Sequence, residues 1–164
     1  IIVQLWGLPW GKGRDSMSSL KNELKNGSGR RLIKRRLDDG VFYYVLSDGS
    51  GTSSFLDDWL NDPRSRGKAK RLLSTVQKIT TNGLEWATAA KRIRRISPEL
   101  YEIKNFSGAA RVMAHIRTVE AIVILRPFQG HSGTGSVPTT LIASATRQQR
   151  LVVELLEQEE YDGD

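Results

Sequence analysis

Among the basic and imidazole side chains within residues 100–138, three are candidates for phosphate and proton-transfer chemistry, namely Lys104, Arg111 and His131. Metal-independent RNA cleavage needs a group that deprotonates a 2′-hydroxyl, one that stabilises the anionic phosphorane and one that protonates the departing 5′-oxygen. Arginine suits the second task because it is always charged and binds two phosphate oxygens. Histidine or a lysine of lowered pKa suits the proton transfers. These three residues are therefore the candidate catalytic group.

A structural interpretation of the same residues stays open. Arg111 has possible ion-pair partners in Glu102 and Glu120, and His131 lies in the glycine-rich segment GHSGTGS, where a histidine needs no special role. On residue types alone this interpretation is favoured over catalysis.

Other site chemistries find little support in the sequence. The chain has no cysteine, and its two histidines, His115 and His131, have no further ligand at helical spacing, so no metal site is expected. No G-x-S-x-G nucleophile motif occurs, and GHSGTGS lacks the Gly-Lys-Ser/Thr ending of a phosphate-binding P-loop. We expect no cofactor.

The charge distribution favours a polyanionic partner. The formal net charge is +7, and all 25 Lys and Arg residues precede residue 151. In the last fourteen residues every charged side chain is acidic. Such asymmetry is typical of nucleic-acid binding, although a solvated basic face explains it equally well. The predicted RNA-binding residues are Lys91, Arg92, Arg94, Arg95 and Arg126.

Hydrophobic spacing predicts an α+β domain. VFYYVLSD, at 41–48, is typical of a strand, and Ser53 or Ser54 can cap a helix that Pro63 ends. A second helix opens at Ser65 with a single apolar stripe and closes at Asn82-Gly83. Residues 84–95 fit either a helical turn or a loop.

The next segments predict an antiparallel meander followed by a helix. LYEIKN alternates across two faces, ARVMAHI follows a turn, and EAIVILR is continuously apolar, as a central strand would be. A C-terminal helix is predicted from about Pro138. We therefore expect a curved antiparallel sheet of about four strands, with two N-terminal helices on one side and a C-terminal helix at its edge.

The expected division is a basic N-terminal extension at 1–40 and a domain at 41–164. The extension contains the basic patch GRRLIKRR, predicted helical, and Met17 is a candidate natural start of the chain. No apolar run approaches the ~20 residues of a membrane-spanning helix. The sequence also has no cysteine and no recognisable secretory signal. These three features predict a cytoplasmic protein with no membrane partner.

The order and spacing of these features resemble the RelE/HigB superfamily of bacterial toxins, including its phage-derived branch. The resemblance covers about Val41 to Glu159. It rests on the strand LYEIK, on Arg111 ten residues after its tyrosine, and on AIVILRPF with a polar loop reaching Pro138. The chain departs from the family at Ala110, where a tyrosine is usual, and at QGHSGTGSV, where lysines are usual.

The resemblance implies a function and residue roles. It implies a ribosome-dependent mRNA endonuclease, the toxin of a toxin–antitoxin pair, with mRNA, the ribosome and a cognate antitoxin as partners. Arg111 would bind the scissile phosphate, Lys104 falls at a basic catalytic position of the RelE branch, and His131 lies near the basic residue that follows the last strand. The alternative is a non-catalytic module of the same fold that binds RNA, the ribosome or an acidic protein.

Overall fold

The computed structural model describes residues 29–37, 40–50, 53–105, 110–128 and 136–161. Its α+β class agrees with the sequence prediction. In chain order the elements are β1 (Leu32–Arg36), β2 (Phe42–Leu46), α1 (Phe55–Asn61), α2 (Arg66–Ala89), β3 (Ile93–Ser97), β4 (Leu100–Lys104), β5 (Arg111–Ile116), β6 (Ile122–Pro127) and α3 (Thr139–Tyr161).

The sheet has six strands in the order β1-β2-β6-β5-β4-β3, and it is mixed. All neighbouring strands pair antiparallel except β2 and β6, which run parallel through Tyr44↔Val123 and Val45↔Ile124. The prediction of a purely antiparallel sheet of about four strands is therefore wrong. The parallel pair arises because α1, α2 and the meander separate β2 from β6 in the chain, and parallel strands need such a long connection.

Helices cover both faces of the sheet. One core forms between the sheet and α1–α2 and includes Leu72, Val76, Val112 and Ile124. A second core forms between the opposite face and α3 and includes Met113, Val152 and Leu155. The predicted position of the C-terminal helix at the sheet edge is therefore wrong. Alternating side chains on β5 supply apolar groups to both faces, and the second face needs α3 to exclude water.

The basic patch predicted as helical contains the edge strand β1 instead. Leu32 is fully buried, and the strand pairs with β2 from Leu32↔Leu46 to Arg36↔Phe42. Nη2 of Arg35 also donates to both carboxylate oxygens of Asp57 at the start of α1, at 3.2 and 3.1 Å. The sheet thus includes residues from the segment expected to be an extension, whereas residues 1–28 lie outside the described residues.

Residues recognisable in the sequence set the start of α1 and the position of a kink in α2. Ser54 caps α1 in a capping box, in which Asp57 accepts a hydrogen bond from the Ser54 amide at 2.8 Å. In α2, the stripe of Ala69, Leu72, Val76 and Ile79 is buried as predicted. The regular helix that begins at Arg66 is interrupted at Gly83, where its end was predicted, and a second helical stretch then follows to Ala89 across a kink.

No helix among the described residues is long and apolar enough to cross a membrane.

The kink at Gly83 generates a stability prediction. Its backbone has φ 88° and ψ 170°, a region that residues with a Cβ rarely adopt. We expect Gly83→Ala to lower the free energy of unfolding by about 1–3 kcal/mol through backbone strain alone, since a Cβ there would touch nothing.

The matched control is Gly67→Ala near the start of the same helix, where the added Cβ makes only an ordinary 3.7 Å contact with Arg71. Ala at this position should stabilise the protein by about 0.5–1 kcal/mol. Urea unfolding of both variants measures the difference, and equal effects of the two substitutions would contradict the strained kink.

Candidate functional site

The strand register brings two of the three candidate catalytic residues together. Lys104 and Arg111 are direct partners at the ends of β4 and β5, so their side chains share one face of the sheet. The Phe128 amide donates a 2.8 Å hydrogen bond to the Arg111 carbonyl, which brings the chain after β6 to the same end. His131 follows three residues later but lies outside the described residues, as does most of the glycine-rich segment.

A buried carboxylate binds the side chain of Arg111. Glu102 is 1 % exposed, and its Oε1 accepts a hydrogen bond from Nη1 of Arg111 at 3.1 Å. On its other side, Oε2 lies 2.8 Å from Nη2 of Arg94 on β3. The three charged groups therefore form an Arg94–Glu102–Arg111 cluster, with one more positive than negative charge.

This cluster confirms the structural interpretation that paired Arg111 with Glu102. Glu102 and Leu100 lie two residues apart on β4 and are both buried, as alternation requires of one strand face. The alternation of LYEIK placed Glu102 on one face with Leu100 and Lys104, but it did not indicate that this face is buried. A carboxylate that is buried must be paired, and the neighbouring strands supply the two arginines.

Four cations line a basic cleft at the free edge of the sheet, beside β3. Its volume is about 550 Å³, and no acidic residue lines it. Three uncharged residues also line the cleft. They are Tyr101, Ile93 and, near the end of α2, Thr88. A positive groove with an aromatic ring suits single-stranded nucleic acid, in which bases stack and phosphates need cations. The cations are Lys91, Arg94, Arg95 and Lys104.

The structure brings together only some of the predicted RNA-binding residues. Lys91, Arg94 and Arg95 line the basic cleft, and Arg92 contacts Lys104 through the backbone, where its carbonyl accepts a 2.9 Å hydrogen bond. Arg126 lies apart from them on β6, where it hydrogen-bonds Ser144 of α3.

His115 has a buried polar environment that the sequence prediction did not include. Its ring is fully buried, and Nδ1 accepts a 3.2 Å hydrogen bond from the Gln149 amide, which also donates to the Pro98 carbonyl at 2.9 Å. The ring proton is therefore assigned to Nε2, 3.7 Å from a Glu99 carboxylate oxygen. Burial lowers the pKa of His115 below its ordinary value, although Glu99 opposes this shift. Its position inside the apolar strand ARVMAHI was the signal for burial.

Among the described residues, no group of three or more His, Cys, Asp or Glu side chains is placed to hold a metal ion. No family model matches this chain, and no curated protein or solved structure matches it either. The resemblance to RelE and HigB toxins therefore rests on the residues that suggested it.

The Arg94–Glu102–Arg111 cluster predicts unequal costs for its members. Glu102→Gln removes the only carboxylate of the cluster and breaks the ion pair with Arg111, whose side chain is 12 % exposed. We expect a loss of about 3 kcal/mol in the free energy of unfolding. Arg94→Ala should lower the free energy of unfolding by about 1 kcal/mol or less, because the Arg94 side chain is 40 % exposed. In this variant Glu102 still forms its ion pair with Arg111. Thermal and urea unfolding test this order, which equal losses would contradict.

His115 predicts a loss of stability in mild acid. Its folded-state pKa lies below the ordinary 6.5, so the unfolded chain binds the proton more readily than the folded protein. The stabilisation is therefore fully present above about pH 6.5 and is lost as the pH falls below that value.

In His115→Gln the free energy of unfolding should fall less than in the wild type between about pH 7.5 and pH 5.5. Urea titrations at several pH values measure both slopes. An unchanged slope in the variant would exclude His115 as the source.

Proposed function

We propose that this protein is a ribosome-dependent mRNA endonuclease of the RelE/HigB type, the toxin of a toxin–antitoxin pair. The observation that supports the proposal is the pairing of Lys104 with Arg111 at the sheet end where β6 leads into the segment of His131. Two cations and Phe128, the last described residue before His131, thus lie at the same end of the sheet, an arrangement that would suit cleavage of a phosphodiester.

The proposed reaction is an attack by the 2′-hydroxyl of the mRNA on its own neighbouring phosphate. A base takes the 2′-hydroxyl proton, the new O2′–P bond forms, and the P–O5′ bond breaks to leave a 2′,3′-cyclic phosphate. A proton is delivered to the departing O5′. Arg111 stabilises the phosphorane, and Lys104 and His131 are the candidates for the proton transfers. The ribosome supplies much of the positioning of the mRNA.

The two-arginine environment of Glu102 is compatible with this role of Arg111. If Arg111 turned towards a phosphate with no other cation present, Glu102 would be left as an unpaired buried charge, which is strongly destabilising. Arg94 lies 2.8 Å from the second carboxylate oxygen and would keep it paired. Arg111 can therefore exchange partners at a lower cost than an arginine in an isolated buried pair.

The basic cleft supports the proposed partners. Its four cations and Tyr101 offer a surface for the mRNA backbone and bases on the approach to Arg111. An antitoxin with an acidic segment would compete for the same cations, because opposite potentials attract across an interface.

The test compares two substitutions that break the same ion pair. In a purified translation system with cuts mapped by primer extension, Arg111→Ala should reduce ribosome-dependent mRNA cleavage about 10²–10³-fold, as loss of one transition-state donor does. Glu102→Gln, assayed at a temperature where it stays folded, should keep cleavage within a few-fold because it retains the guanidinium.

Equal losses in the two variants would mean that Arg111 acts only in the fold. Circular dichroism of each variant under assay conditions controls for unfolding.

The alternative is a non-catalytic module that binds RNA, the ribosome or an acidic protein through the basic cleft. The ion pair of Arg111 with Glu102 favours it, because the key guanidinium already has a partner in this structure. A well-folded wild type that makes no cuts, but binds RNA with an affinity falling steeply in salt, would replace the endonuclease with this module.

A further inference from the structure

A second cleft lies between helix α3 and the β2–β6 part of the sheet. Its volume is about 640 Å³, within the about 300–1,000 Å³ typical of small-molecule sites and far more than a single phosphate ion fills. Neither the endonuclease proposal nor its alternative uses it. We call it the α3 cleft.

One face of α3 forms a wall of the α3 cleft. Ser144, Arg147, Gln148 and Leu151 all line it, and their spacing of three, four and seven residues places them on the same side of the helix. The opposite wall comes from the ends of β2 and β6 and from Phe55 of α1.

Arg126 lines the α3 cleft without a direct contact to a carboxylate of the described residues. Its side chain is half-buried and donates to the Ser144 hydroxyl, but it contacts no carboxylate among the described residues. Its Nε is buried and, like the Nε of Arg94, has no hydrogen-bond partner in that part of the chain. Arg35, Arg94 and Arg111, by contrast, each contact an Asp or Glu carboxylate. A partly buried cation with no anion beside it is costly, and an anion from solution would offset that cost.

The remaining lining residues narrow the chemistry of that anion. Arg30 and Arg147 bring the cations to three, against the single acid Asp48. The partly exposed side chains of Phe55 and Leu151 supply apolar surface to the same cleft, above the buried Leu125. The combination of arginines and an apolar wall suits a phosphate ester attached to a flat, largely apolar group.

We propose that the α3 cleft is a binding site for a nucleoside monophosphate, with the phosphate on Arg126 and Arg147 and the base against Phe55, Leu125 and Leu151. The site is separate from the Lys104–Arg111 pair, and the proposal does not depend on the endonuclease function.

The test is isothermal titration of the purified full chain with adenosine 5′-monophosphate, whose purine offers a large flat surface. Arg147→Ala removes a cleft cation, and Arg150→Ala removes an equally exposed arginine three residues on that does not line the cleft. We expect saturable binding that weakens at least tenfold in Arg147→Ala and less than twofold in Arg150→Ala. Inorganic phosphate and adenosine alone should each bind more weakly than the nucleotide.

Three results would overturn the proposal. The first is no saturable binding of the nucleotide by the folded wild type, and the second is equal weakening in the two variants, which indicates general charge attraction. The third is equal affinity for inorganic phosphate and for the nucleotide, which reduces the cleft to an anion site. The titration contains no ribosome or mRNA, so its outcome is independent of whether the protein cuts RNA.

Discussion

The pairing of β6 with both β2 and β5 holds the molecule together. On one side β6 runs parallel to β2, and on the other it runs antiparallel to β5, so the N-terminal hairpin and the meander share a single sheet only through this strand. Its residues Ile122–Leu125 are all buried, because helices cover both faces at this position. Burial of apolar surface on both faces stabilises β6, and the hydrogen bonds of its two neighbours fix its place.

A sheet covered on both faces makes any polar group within it costly. Glu102 and His115 both lie on the face that α3 covers, and they meet this cost in different ways. Charge satisfies Glu102, through the arginines of the two neighbouring strands. His115 is held neutral, because burial lowers its pKa, and Gln149 donates to its Nδ1, whereas its buried Nε2 has no hydrogen-bond partner among the described residues. The ion pairs of Glu102 keep cations near the candidate site, whereas the burial of a neutral His115 makes the stability of the fold sensitive to acid.

The excess positive charge of this chain is divided between surfaces with different properties. The basic cleft beside β3 has four cations and no acid, and at least two of those cations are exposed, as suits a long, flexible polyanion. The α3 cleft has fewer cations but a larger apolar wall, and its Arg126 is half-buried. Net charge alone predicted only that an anionic partner exists. The division into two clefts with different linings follows from where the helices leave the sheet uncovered.

Sequence periodicity alone determined the helices and the strands β2, β4, β5 and β6, because apolar spacing reports which side of an element is buried. It did not predict the edge strands β1 and β3, because the basic side chains of LIKRR and IRRIS obscure the alternation. These segments are strands because they pair with β2 and β4. Residue types also limited the partners of Arg111 to Glu102 or Glu120. Only the register of β4 against β5 selected Glu102, since contacts between distant segments depend on how the whole sheet assembles.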